Sequence, residues 1–130
     1  MTFEDAINSL GSEFGAELEI EDGVAALTAH DDDGDEIDVI LRSVENNEYA
    51  DISSDLGELP SEGSEELMLK MLEANHLFSG TGGATLSIEE GRAKLERRVP
   101  LTELGRGEGA PVLTHFLATA RKWRAALANR

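Results

Sequence analysis

Cysteine is absent from this 130-residue chain, which removes disulfides, thiolate metal sites and cysteine nucleophiles together. Positive charge is scarce: three Lys and eight Arg stand against 27 acidic side chains, a formal net charge of -16. Binding a nucleic-acid backbone or an anionic membrane surface needs a basic face, so both are disfavoured. No apolar run approaches the roughly 18 to 20 residues of a membrane span. The opening Met-Thr-Phe-Glu-Asp has neither the basic nor the apolar region of a signal peptide, so the chain is expected to stay in the cytoplasm. What is present suffices for a core: Leu, Ile, Val and Phe fill 32 of 130 positions, above the roughly 20% below which highly charged chains stay disordered. The length fits a single domain over residues 1–130. The acid excess is lopsided, since residues 1–60 hold 18 of the acidic side chains and only Arg42 among the basic ones. Residues 61–130 are close to neutral.

Hydrophobic spacing orders the elements. Phe3, Ile7, Leu10 and Phe14 recur at three to four residues behind Thr2, an N-cap candidate, and predict a helix that Gly15 stops. Glu17 to Glu21 alternates as a strand, Asp22-Gly23 is a hairpin turn, and Val24 to His30 is its partner. After the acidic turn Asp31 to Asp35, Ile37, Val39 and Leu41 alternate with Asp38, Ile40 and Arg42. Asn46-Asn47 turns the chain into Tyr49 to Leu56, where Ala50, Ile52 and Leu56 share a face. Pro60 to Gly63 breaks the pattern, and Ser64 is expected to cap a helix to about Ala74. Thr85 to Glu89 and Ala93 to Val99 form a hairpin about Glu90-Gly91. Residues 105–109 read as a Gly-rich loop, and Pro111 opens a last helix striped by Leu113, Phe116, Leu117, Ala120, Trp123 and Leu127. The fold class is α+β, in the order helix, antiparallel strand meander, helix, β-hairpin, helix, with the helices packed on a twisted antiparallel sheet.

Motifs for catalysis are poor. An EF-hand register that sets Gly34 at its sixth position places Ala29 and Ile40 where calcium ligands belong, so Asp31 to Asp35 reads as a solvated turn. Gly105, Gly107 and Ala110 spell GxGxxA without a preceding βαβ strand or a following acidic residue, which excludes a dinucleotide site. His30, His76 and His115 lie on three elements without metal-ligand spacing. A metal-dependent hydrolase built on Asp31, Asp33, Asp35 and a histidine is the enzyme alternative, and no catalytic residue, metal or cofactor is assigned. The helix at 64–74 says more. Leu67, Met68, Leu69, Met71 and Leu72 span about 200° of its circumference, twice the stripe that one sheet needs. Leu67, Met68, Met71 and Leu72 are therefore the expected subunit interface, Met being suited to adaptable contacts. Ile40 points away from Ile37, Val39 and Leu41 on its strand and is a candidate partner contact.

The ordered set resembles the CesT-like (Tir chaperone) family, the class I chaperones of bacterial type III secretion. The resemblance rests on the opening helix with Phe3, Ile7 and Leu10, the meander ending in Leu56-Gly57-Glu58-Leu59-Pro60, and Leu72-Glu73-Ala74-Asn75. It continues through Gly82 to Ile88, Val99-Pro100-Leu101 and the closing helix with Phe116 and Trp123. It implies a small acidic homodimer in the bacterial cytoplasm, without enzymatic activity. Such a protein holds the N-terminal segment of a secreted effector extended and secretion-competent without ATP. On that footing the client contacts are expected at Phe3, Ile7, Leu10 and Ile40, the first three being equally readable as core. An adaptor of the same fold outside secretion is the alternative. Two meanings of the acid excess stay open: steering of a basic client segment, or a generally acidic proteome.

Overall fold

The computed structural model describes residues 2–14, 18–30, 36–44 and 48–128. Helix α1 (Phe3–Phe14) starts as its sequence directs. Thr2 Oγ1 accepts from the Asp5 N–H at 3.1 Å and Asp5 Oδ2 accepts from the Thr2 N–H at 3.3 Å, a reciprocal capping box with Asp in place of Glu. Strands follow at β1 (Ile20–Glu21), β2 (Val24–His30), β3 (Glu36–Val44) and β4 (Tyr49–Glu58). Asp22 and Gly23 both take positive φ, 52° and 75°, the conformation a two-residue hairpin requires. Strand β1 is shorter than expected, with Leu18 and Glu19 outside it. The expected helix stop at Gly15, the strand start at Glu17 and the turns at Asp31 to Asp35 and Asn46-Asn47 lie outside the described residues.

Helix α2 (Ser64–Asn75) leads to a short 3-10 turn (His76–Phe78), then β5 (Thr85–Glu89) and β6 (Arg92–Pro100). The cap of α2 is Gly63 and not Ser64: Gly63 takes φ 76° and no side chain bonds the helix start, so the turn that opens α2 depends on glycine's freedom. The six strands make one antiparallel sheet in the order β1-β2-β3-β4-β6-β5. The chain therefore leaves β4, crosses through α2 to the far edge and returns, which seats β6 against β4. A bulge between Asp55 and Gly57 shifts the β4–β6 register, and the Gly57 N–H donates to Asp55 Oδ1 at 2.9 Å.

The Gly-rich stretch is helical, not a loop. Leu101–Glu103 (α3) runs into a π-helical turn (Leu104–Glu108) and then α4 (Gly109–Ala128). A Cβ at Gly109 would lie 2.5 Å from the Leu104 carbonyl oxygen and 2.9 Å from Leu10 Cδ1, so glycine there permits both the wide turn and the approach of α1. The Ala110 N–H donates to Glu13 Oε2 at 3.1 Å, which lets α1 satisfy an orphan donor at the start of α4. Pro111 falls in the first turn of α4, where its missing N–H costs nothing. Near the end of α4, Arg124 Nη1 donates to the Glu36 carbonyl.

One face of the sheet carries the core. Ala25, Ile37, Val39, Leu41, Ala50, Ile52, Leu56, Leu86, Ala93, Leu95 and Val99 are buried, together with Ile7 and Leu10 from α1 and Leu113, Phe116 and Ala120 from α4. Ser54 is buried on the same face, and its hydroxyl donates to the Asp38 carbonyl at 2.8 Å. The other face is polar and laced by cross-strand ion pairs, Arg98 with Asp51 and Arg92 with Asp55, each at 2.8 Å.

Candidate functional site: a sheet edge, its cleft and an apolar helix face

The two sheet edges differ. At the β5 edge, Asn75 at the end of α2 acts as a short extra strand: its Nδ2 donates to the Leu86 carbonyl at 2.9 Å and its Oδ1 accepts from the Leu86 N–H at 2.8 Å. Both outward backbone groups of Leu86 are thereby closed, a direct answer to the hazard of an unpaired edge. At the β2 edge, β1 pairs only with Val24 and Ala25. The Gly23 carbonyl accepts from the Ser43 N–H at 2.9 Å, and bonded positions alternate along an antiparallel pair. Ala25, Leu27 and Ala29 therefore turn their backbone groups to β3; Ala26 turns its groups to Glu19, which the β1–β2 register sets opposite it, and Thr28 and His30 turn theirs outward. Among the described residues no strand pairs with β2 beyond Ala25.

A cleft of about 480 Å³ opens beside that edge, between β2 and the helix layer. Phe14 of α1, Leu27 and Ala29 of β2 and Leu117 of α4 give it apolar walls, and Arg121 of α4 and His30 stand at its polar side. His30 Nε2 lies 3.0 Å from Glu36 Oε1. A second depression, about 530 Å³, lies on the polar face of the sheet, lined by Ile40 among Asp38, Arg42, Asp51, Lys94 and Glu96. Arg92 hydrogen-bonds Asp55 near this face and, with help from the Gly57 N–H and against partial burial, holds the Asp55 carboxyl below its ordinary value.

The residues expected from sequence separate into two groups. Phe3, Ile7 and Leu10 are core, at most 3% exposed, so the alternative left open for them resolves in favour of packing under the sheet and against contact with a client at the surface. Ile40 is 40% exposed on the polar face and stays available. On α2, Leu67 and Met71 also face inward, packing with Leu56, Leu86, Ala93 and Trp123. They are unavailable as an interface because this chain's own sheet covers them. Met68 is partly exposed and Leu72 is 67% exposed. Leu69, Leu77 and Phe78 join them as exposed apolar side chains. Leu77 and Phe78 hold positive φ, 51° and 59°, a backbone state that costs a non-glycine residue on the order of 1 kcal/mol.

Sequence reasoning missed the β2 cleft, because nothing local marks which edge of a sheet is left unpaired. The signal for Leu69 was present in the over-wide arc of α2. Among the described residues no group of His, Asp and Glu converges as metal ligands, and His30, His76 and His115 stay on separate elements. Asp31, Asp33 and Asp35 lie outside the described residues. No helix of the described chain is long and apolar enough to cross a membrane.

The site is thus an apolar cleft beside a sheet edge that has no strand partner beyond Ala25 among the described residues, and comparison with known proteins gives the fold its family. The sequence pattern of the Tir chaperone protein (CesT) family matches residues 5–124. The chain belongs to this family. As a Tir-chaperone-family member it is an effector-binding chaperone of the type III secretion kind. Solved structures share the fold at low identity. A chain in the Yersinia pestis type III secretion chaperone SycH complexed with a fragment of YscM2 matches with a TM-score of 0.73 at 17% identity, over 94% of this chain and 99% of that one. A chain of the HopA1–SchA chaperone–effector complex gives 0.67 at 15%, over 98% and 94%. One of the Pseudomonas aeruginosa ExoU–SpcU complex gives 0.63 at 19%, over 93% of each chain. No curated sequence matches this one.

Proposed function

We propose that this family member holds the N-terminal segment of a secreted effector by strand addition to the outward groups of Thr28 and His30. The segment's side chains would enter the cleft formed by Phe14, Leu27, Ala29 and Leu117. The observation that carries this reading is the contrast between edges: Asn75 closes β5 at Leu86, while among the described residues β2 has no strand partner at Thr28 and His30, above an apolar cleft. Strand addition gives affinity through backbone hydrogen bonds and register through alternate side chains. It keeps the client extended and unfolded, needs no nucleotide, and involves no turnover, so the protein acts as a binding protein and not an enzyme. It would do so in the bacterial cytoplasm. The neighbours solved with effectors support the same reading.

The protein acts as a homodimer in this account. The exposed side of α2, with Met68, Leu69 and Leu72, continues into Leu77 and Phe78. Exposed large apolar side chains grouped in this way mark a contact surface, and a self-complementary patch closes with two-fold symmetry. Sedimentation at micromolar concentration is expected to give a dimer for the native chain and a monomer for Leu72→Ser; a strict monomer for the native chain contradicts this part.

The test of the edge reading is amide exchange on the complex with a secreted protein encoded beside the gene. Slowed exchange at Thr28 and His30 is the expected result. Protection confined to the polar face around Ile40, the second depression, would overturn it in favour of that face.

A further inference from the structure

Resting on the edge reading, a specificity element emerges from Arg121. It stands one turn beyond Leu117 on α4, and both line the cleft. Its Nε is shut off from solvent and has no hydrogen-bond partner. Other arginines are closed on oxygen: Arg92 on Asp55, Arg98 on Asp51, and Arg124 on the Glu36 carbonyl. A guanidinium carries fixed charge and five donors in a planar fork matched to carboxylate, and a buried donor left without an acceptor is costly. The covered Nε of Arg121 is closed to a client as it is to water, so what half-buried Arg121 offers a client is its charge at the side of an apolar cleft.

The geometry points to a client carboxylate as the partner of that charge. Carbonyls of an added strand lie in the plane of the sheet and are used by the N–H groups of Thr28 and His30. Arg121 belongs to the helix layer below that plane, so its acceptor must come from a client side chain on the inward face. Alternate side chains of a strand share a face, and the apolar walls take one of them. We propose that the cleft selects an extended client segment with an apolar residue and, two positions away on the same face, an Asp or Glu that pairs with Arg121. The net charge of -16 disfavours acidic peptides at long range, so this preference is a short-range one that a single cation must create.

Peptides of 15 random residues displayed on phage and selected on the full-length protein test this. Peptides from the native protein are expected to carry an acid two positions from an apolar residue. Those from Arg121→Gln are expected to keep the apolar residue and lose the acid. For one selected peptide, changing that acid to its amide should weaken binding to the native protein about tenfold, the scale of one charge-assisted hydrogen bond, and leave binding to Arg121→Gln unchanged. Equal losses on both proteins, or no acid enrichment on the native one, overturn the role of Arg121 while leaving the edge reading standing. Peptides whose binding protects residues away from β2 overturn both. Arg121→Met, which keeps the apolar stem of the side chain, takes the place of Arg121→Gln if that chain fails to fold, with the same two outcomes.

Discussion

Asn75 and Gly109 show how single side chains decide what this sheet and its helices can do. Removing the amide in Asn75→Ala leaves the Leu86 N–H and carbonyl without partners, a loss of about 1 to 3 kcal/mol. It also opens the second edge, so the variant should melt lower and aggregate more readily; an unchanged melt and unchanged scattering would contradict the clasp. Gly109→Ala forces a methyl to within 2.5 Å of the Leu104 oxygen, and overpacking of this kind costs about 1 to 3 kcal/mol. Equilibrium unfolding checks it, and a native-like midpoint would mean that α1 and α4 can separate without cost. Asp55 adds a pH signature. Its carboxyl is held below its ordinary value chiefly by the Arg92 hydrogen bond, so its contribution is complete above about pH 4 and is lost as pH falls through the lower folded value. Asp55→Asn should therefore flatten the fall in stability as pH drops below about 4. Added salt should shrink the difference, since both partners are partly exposed. An unchanged acid profile in the variant would show that the pair adds nothing.

Helix α2 is the element whose two sides must be told apart. Leu67→Ala removes a side chain that this chain's own core covers, and about 2 to 5 kcal/mol of stability should go with it. Leu72→Ser changes a 67% exposed position and should leave monomer unfolding nearly unchanged while weakening association. If both substitutions destabilise the isolated chain alike, the division of α2 into a core side and a contact side fails. The sequence made the width of the apolar arc legible, since periodicity counts residues around a circumference. It did not say which 100° belonged to the sheet, because that depends on where β5 and β6 lie, and their place beside β4 is set by a long-range crossover. The hairpins at Asp22-Gly23 and Glu90-Gly91 were legible for the opposite reason: positive φ at both turn positions is a local demand. Residues 105–109 misled because glycine marks either a flexible loop or a close approach, and the approach of Leu10 to Gly109 is tertiary. Phe3, Ile7 and Leu10 misled in the same way, since an amphipathic helix has one apolar stripe whether it meets a client or a core.

Over the whole molecule, acid is concentrated in α1 and the strands that lead to the open edge, and the cleft beside that edge has Arg121 at its polar side. Steering of a basic client by the acidic half predicts association that slows steeply with ionic strength; an on-rate that does not change with salt assigns the charge to solubility instead. The central claim is that the client is held by the outward backbone of β2. Proline offers the most direct measurement, since it removes one N–H and is tolerated on an edge strand when that N–H faces outward. Thr28→Pro, with Thr28→Ala as its control, should keep the native melt to within a few degrees. Measured by titration against the secreted partner encoded beside the gene, Thr28→Pro should bind at least about tenfold more weakly while Thr28→Ala binds as the native protein does. Native-like affinity in Thr28→Pro would contradict strand addition at β2.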